Sequence, residues 1–149
     1  MAKSSTAKVT RIKSNPAWQQ EKVDLSAVLR WSARLGFHEG ICNHMSVMLD
    51  RNRFLINPKG MHWERSQASR LIVIDDKGET VEGVGKPAVS GYCIHTRIHM
   101  HHPSAKVVLH THMPYATALT AIKGGRLEMC HQNAARFFDD IAYDEDFNG

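Results

Sequence analysis

The stretch VVLHTHMPYA, residues 107–116, joins an apolar run to two histidines one residue apart, then to a proline that opens a new segment. In a strand, alternate side chains project from one face, so His110 and His112 point together and their nitrogens can converge. Two readings stay open here: ligands for one ion, or a hydrogen-bonded structural pair. Imidazole suits zinc, iron, nickel and copper alike, so the pair alone does not name a metal. The mostly apolar KVVLHTH reads as a short strand buried in a sheet. MPYATALTAI starts with proline just inside a helix start, and KGG at 123–125 ends that helix.

Working upstream, VSGYCIHTRIHMH (89–101) reads as a helix stopped by Pro103. His95 and His99 are four apart and share one helical face. His101 and His102 stand at the helix end, where exposed carbonyls and the helix dipole attract them. Further back, LIVID and ETVEG flank DKG as a tight hairpin, and ICNHMSVML and RFLINPKG flank DRN as another. The first of these strands places Ile41, Met45, Val47 and Leu49 on one side. Residues 17–35 form a helix with Leu25, Val28, Leu29 and Leu35 on its apolar face, Trp31 on the flank and Gly36 at the C-terminal cap. HQNAARFFDD (131–140) adds a final helical piece. Helices and strands alternate, which specifies an α/β domain with a helix-covered sheet.

Bulk properties narrow the function classes. The 149 residues suffice for one domain with a real core. An apolar fraction of 42% and a charged fraction of 23% are those of an ordinary soluble domain. Lys3, Lys8, Arg11 and Lys13 account for the whole excess of 19 basic over 15 acidic residues, so the body is balanced. Residues 1–19 read as a basic flexible tail and 20–149 as the domain. No basic patch interleaved with aromatics follows the tail, which argues against nucleic-acid binding. No apolar run reaches the roughly 20 residues of a membrane span, and no secretory h-region is present. Cys42, Cys93 and Cys130 form no CxxC motif, which favours a reducing, cytoplasmic setting.

Three turns suggest recognition of an oxyanion. GICNHMS places Asn43 near a tight turn, NPKG presents Lys59 beside Gly60, and AVSG puts Ser90 at a helix N-terminus with free backbone N–H groups. Ordinary turn chemistry accounts for each one singly. Together with a metal candidate they outline a site for a small oxygenated anion.

The order of these motifs resembles the class II aldolase/adducin N-terminal domain family. The resemblance is carried by ARLGFHEGICNHMSV (33–47), FLINPKG (54–60), IVIDDKGETVEG (72–83), SGYCIHTRIHMHHPSAKVVLHTHMPYATALTA (90–121) and IAYDEDFNG (141–149). It implies a three-layer α/β/α sandwich around a mainly antiparallel sheet, assembled into homo-oligomers, usually tetramers. It also implies a divalent metal, Zn²⁺ first among candidates, held by His110 and His112 with a third histidine. The metal would act as Lewis acid in carbon–carbon bond cleavage on a small hydroxy or oxo acid or a sugar-phosphate-like substrate. Cys42-Asn43, Lys59-Gly60 and Ser90 fall on the family's phosphate-binding turns.

Two departures bear on activity. The aldolases carry an acid/base glutamate at the start of the helix before the HxH strand, where this chain has Gly91. His95 is then the candidate to supply the missing acid/base function. The family's third metal histidine belongs to an NHG-like motif beyond the equivalent of Gly149, so the domain reads as truncated at its C-terminus, with an exposed sheet edge that favours association. The departures keep a second reading open: a non-catalytic, adducin-like module for self-association or protein binding.

Overall fold

The computed structural model describes residues 16–146, so most of the expected basic tail lies outside the described residues. A 3₁₀ turn at Pro16–Trp18 leads into helix α1, Gln19–Arg34. Leu25, Leu29 and Ala33, at i, i+4 and i+8, form its buried stripe. Val28 and Leu35, expected on the same face, are instead exposed. The stripe is completed by small or paired residues, Lys22, Ser26 and Ser32, and Val28 lies about 100° round the helix from Leu29. Trp31 is on the outer side. The helix ends in a Schellman motif: Gly36 N–H donates to Ala33 O and Phe37 N–H to Ser32 O. Gly36 has φ +70°, the left-handed conformation this cap requires.

Five antiparallel strands follow: β1 His44–Asp50, β2 Arg53–Ile56, β3 Ile72–Asp75, β4 Thr80–Glu82 and β5 Val107–His110. They lie in the order β4-β3-β2-β1-β5. The first four are two linked hairpins, as DRN and DKG anticipate. Helix α2, Val89–His101, carries the chain across to β5 on the far edge, beside β1. The period of two sorts the side chains into two faces. Met45, Leu55 and Val73 pack with Leu25, Leu29 and Ala33 of α1 and with Trp63. Phe54, Ile56, Ile72 and Ile74 form the opposite face, with Met48 and Tyr92 of α2 packed on them. Helix, sheet and helix make the expected three layers.

Two expectations about β1 and β5 need correcting. Ile41 does not join the Met45–Val47–Leu49 row; it precedes β1 in a turn and is exposed. Strand β5 is not buried: among the described residues it pairs with β1 on one side only, and Val107 and Leu109 are each 52% exposed. It also stops at His110, because His112 N–H turns to donate to Phe37 O at 3.0 Å.

The described residues from Pro114 onward form a second compact unit. It holds α3, Pro114–Thr120, with proline at its first position as the sequence indicates, and the short α4, Gln132–Ala135. His131 Nδ1 accepts from Ala134 N–H as the N-cap of α4. Arg126 pairs with Glu145 and lies 4.3 Å over the Tyr143 ring. Tyr115, in the first turn of α3, is 92% exposed.

Candidate metal centre

The entrance to β1 is fixed before any chemistry is in place. Asn43 Oδ1 accepts from Glu39 N–H at 2.6 Å, while Asn43 O accepts from Asn57 Nδ2 and Trp63 Nε1, each at 3.2 Å. Met45 N–H in turn donates to Asn57 Oδ1. This buried amide lattice sets the register of β1, so His44 stands directly across from His110 on β5. Cross-strand partners share a face. Both rings therefore lie on the α2 side, as does Ser46, two residues along β1 from His44.

The result is a line of five imidazoles. His112 Nε2 is 3.2 Å from His110 Nε2, and His110 Nδ1 is 3.1 Å from His44 Nε2. His44 Nδ1 is 2.8 Å from His95 Nε2. His95 Nδ1 is 2.6 Å from Ser46 Oγ, which is 2.8 Å from His99 Nε2. The line ends at the two groups that can only accept: Ala105 O, 2.7 Å from His99 Nδ1, and the Glu39 carboxylate, 2.8 Å from His112 Nδ1. His44, His95 and His99 are each 1% exposed. Burial is the main cause that holds their pKa values down, to about 4 for His44 and about 3 for His95, with neighbouring histidines adding to it. His99 and His110 are lowered by burial too. These rings are neutral near pH 7.

The donor set at the outer end fits a metal as two of its ligands. Two nitrogens bound to one tetrahedral zinc at ~2.0–2.1 Å stand roughly 3.3 Å apart, close to the 3.2 Å between His110 and His112. A carboxylate on the far nitrogen of a ligating histidine, as Glu39 provides for His112, is the usual support of such ligands. Among the described residues, no group of three His, Cys, Asp or Glu side chains could hold one ion.

The remaining expected residues are distributed around this line. Ser90, in the first turn of α2, places Oγ 3.3 Å from His44 Nε2. Lys59 N–H donates to Lys86 O, tying the turn after β2 to the loop that leads into α2. Lys59 and Gly60 line a shallow surface pocket of about 360 Å³ with Arg70; Ser90 is not part of it. Asn43 is buried in the lattice described above, its Nδ2 without a partner. His95, the sequence candidate for acid/base chemistry, lies inside the fold with both ring nitrogens engaged. Gly91 lies under the His44 ring: a Cβ there would stand 3.1 Å from His44 Cγ and 3.4 Å from Ile56 Cδ1. The space a side chain would take at this position is thus filled by an imidazole.

Sequence reasoning passed over His44, Ser46 and Glu39. The signal for the first two was available, because a row of Met45, Val47 and Leu49 on one face leaves His44 and Ser46 on the other. Glu39 had none, since a turn residue 73 positions from its histidine follows no local period.

The family model described as the Class II Aldolase and Adducin N-terminal domain matches residues 23–149. An adducin-related protein of Schizosaccharomyces pombe is 31% identical over 134 residues, covering 80% of this chain and 40% of its own length. A putative aldolase class 2 protein of Caulobacter vibrioides is 32% identical over 141 residues, covering 91% and 53%. Among solved structures, L-fuculose 1-phosphate aldolase from Glaciozyma antarctica PI12 superposes with a TM-score of 0.77 at 28% identity, over 87% of this chain and 53% of that one. The chain thus spans only 40–53% of the length of these three relatives. With the family model covering most of the sequence, and the expected α/β fold in place, the chain belongs to the class II aldolase and adducin N-terminal domain family.

Proposed function

We propose that the chain is a metal-dependent lyase-type domain that acts on a small hydroxy or oxo acid or a sugar-phosphate-like substrate. The observation that carries this reading is the approach of His110 Nε2 and His112 Nε2 to 3.2 Å at the outer end of the imidazole line. His110 and His112 would hold a divalent ion, with zinc favoured by an all-nitrogen pair and a tetrahedral separation. When bound, the metal would supply Lewis-acid polarisation of a carbonyl beside the bond to be cleaved. A third protein ligand would come from outside the described residues, from further chain or from a second copy in a homo-oligomer, a tetramer by family habit.

The chain's own residues do the rest. Ser90 Oγ and the free N–H groups of the first turn of α2 would orient a substrate oxyanion. Lys59 and Arg70 line a separate pocket suited to a more distant anionic group. His95 has no path to substrate except through His44, so it acts as a positioning residue. The free, exposed cysteines Cys42, Cys93 and Cys130 agree with a reducing, cytoplasmic setting.

Metal content of the purified chain, beside a His110→Ala/His112→Ala double variant, tests the reading. Metal retained by the wild type through gel filtration and lost by the variant supports it. No metal uptake by either protein, with the fold intact in both, sinks it. That second outcome would favour the adducin-like binding module, for which Gly91 in place of an acid/base carboxylate is the specific observation.

A further inference from the structure

We infer that His44, Ser46, His95 and His99 are positioning residues that fix the tautomer of His110, so that His110 Nε2 and His112 Nε2 turn bare lone pairs toward one point. This rests on the metal-centre reading above, and it adds how this chain would prepare its two ligands. The argument runs from the two ends of the line, where no choice of donor exists.

Ala105 O can only accept, so His99 carries its proton on Nδ1 and donates at 2.7 Å. With one proton per ring, His99 Nε2 is an acceptor, and the Ser46 hydroxyl donates to it at 2.8 Å. Ser46 Oγ has spent its hydrogen and must accept from His95 Nδ1–H at 2.6 Å. His95 Nε2 is then bare and accepts from His44 Nδ1–H at 2.8 Å. His44 Nε2 is bare in turn and accepts from His110 Nδ1–H at 3.1 Å, with Ser90 Oγ 3.3 Å away. The last proton stands on His110 Nδ1, which leaves Nε2 as a lone pair. From the other end, the Glu39 carboxylate only accepts, so a His112 ring with one proton carries it on Nδ1 and leaves Nε2 as a lone pair as well.

Two lone pairs 3.2 Å apart with no proton between them repel. A cation at their meeting point removes the repulsion, and a divalent metal ion is the class of ligand that two neutral imidazoles accept. The opposite tautomer fails at the buried end. A proton on His110 Nε2 would reverse every bond along the line and leave His99 Nδ1 bare against Ala105 O, two acceptors 2.7 Å apart. Gly91 makes the line possible, because any Cβ there would crowd the His44 ring that links the helix to β5.

The test reads tautomers directly. The full chain, ¹⁵N-labelled and stripped with chelator, is examined by long-range ¹H–¹⁵N correlation well above the usual histidine pKa. The expected spectrum shows the proton on Nδ1 of His44, His95, His99, His110 and His112. A proton on Nε2 of His110 overturns the proposal. Zinc affinity by chelator competition adds a second arm: Ser46→Ala cuts the line between His95 and His99 and is expected to weaken zinc about tenfold or more. Unchanged affinity in a folded Ser46→Ala protein overturns it as well. If that variant does not fold, the wild-type spectrum decides. A wild type that takes up no zinc overturns the metal-centre reading alone, because the tautomers are read without metal.

Discussion

The two faces of this one sheet were built to different rules. Against α1, the strands present Met45, Leu55 and Val73 to Leu25, Leu29 and Ala33, a dry, mainly apolar layer held by close packing, with one buried ion pair, Lys22–Glu82, at the β4 edge. Against α2, Phe54, Ile56, Ile72 and Ile74 begin the same way, but toward β1 and β5 the layer becomes His44, Ser46 and His110 facing His95 and His99. Apolar contact is tolerant of small rearrangements, whereas a buried polar line demands that every donor meet an acceptor. The second face therefore holds a specific geometry that the first has no need of. That contrast also explains why the site sits where it does: the polar line starts at the half-buried Ala105 carbonyl and opens at a strand end.

The largest difference between the faces should appear where an apolar residue supports the polar line. The Phe54 ring stacks on His99 at a centroid separation of 5.3 Å and an angle of 9°, and it is wholly buried. Phe54→Ala should cost about 3–5 kcal/mol by denaturant unfolding and should loosen the His99 end of the line. Leu29→Ala on the dry face should cost about 2–5 kcal/mol while leaving the tautomer pattern untouched. Equal disturbance of the histidine resonances by both variants would show that the faces are not independent.

Acid is the second way to separate them. His95 is held at about 3 and His99 is also lowered, both by burial first, whereas an unfolded histidine titrates near 6.5. As pH falls below 6.5 the unfolded chain takes up these protons and the native chain does not, so stability declines with acidification. The decline continues until His95 itself titrates near 3, with a slope of at most about 1.4 kcal/mol per pH unit for each group. Facing these rings are His44 on β1, His110 on β5 and Lys106 before β5, and each opposes a further positive charge. Chemical denaturation at a series of pH values measures the slope. A flat profile between pH 6.5 and 4 would mean the rings are not buried neutral.

How much of this was legible in the sequence follows from the range of the interactions. Helix α2, both hairpins and the Gly36 cap were readable because each rests on local period or turn chemistry. The convergence of His110 and His112 was readable for a less direct reason. The sequence puts them on one strand face, while in the structure β5 ends at His110 and a backbone bond to Phe37 brings His112 round. That His44 and Ser46 face away from the apolar row was readable, but their partners were not: these come from α2 and β5, 49 to 66 residues away. Glu39 had no local signal, since its histidine lies 73 positions on. The exposure of β5 was missed because apolar composition does not tell an edge strand from a central one.

Gly91 gives a smaller and more local test of the polar face. Its missing Cβ would stand 3.1 and 3.2 Å from two atoms of the His44 ring. That ring cannot easily give way, since His95, His110 and Ser90 hold its nitrogens. Gly91→Ala should therefore destabilise by roughly 1–3 kcal/mol despite the higher helix propensity of alanine. Zinc affinity should fall with it. A stabilised variant with unchanged affinity would show that His44 is free to move.

The smallest effect belongs to the dry face and corrects the helix as the sequence presents it. Val28 and Leu29 are adjacent and both apolar, and simple patterning assigns both to the core. In the structure Leu29 is 0% exposed and Val28 is 43% exposed. Val28→Ala removes little packed surface and replaces a β-branched residue with the best helix former, so its stability should change by no more than about 0.5 kcal/mol in either direction. Beside the loss expected for Leu29→Ala, this measures how sharply the buried stripe of α1 is bounded. A loss at Val28 approaching that at Leu29 would mean that the outer side of α1 is covered, and α1 would then be an internal helix of a larger assembly.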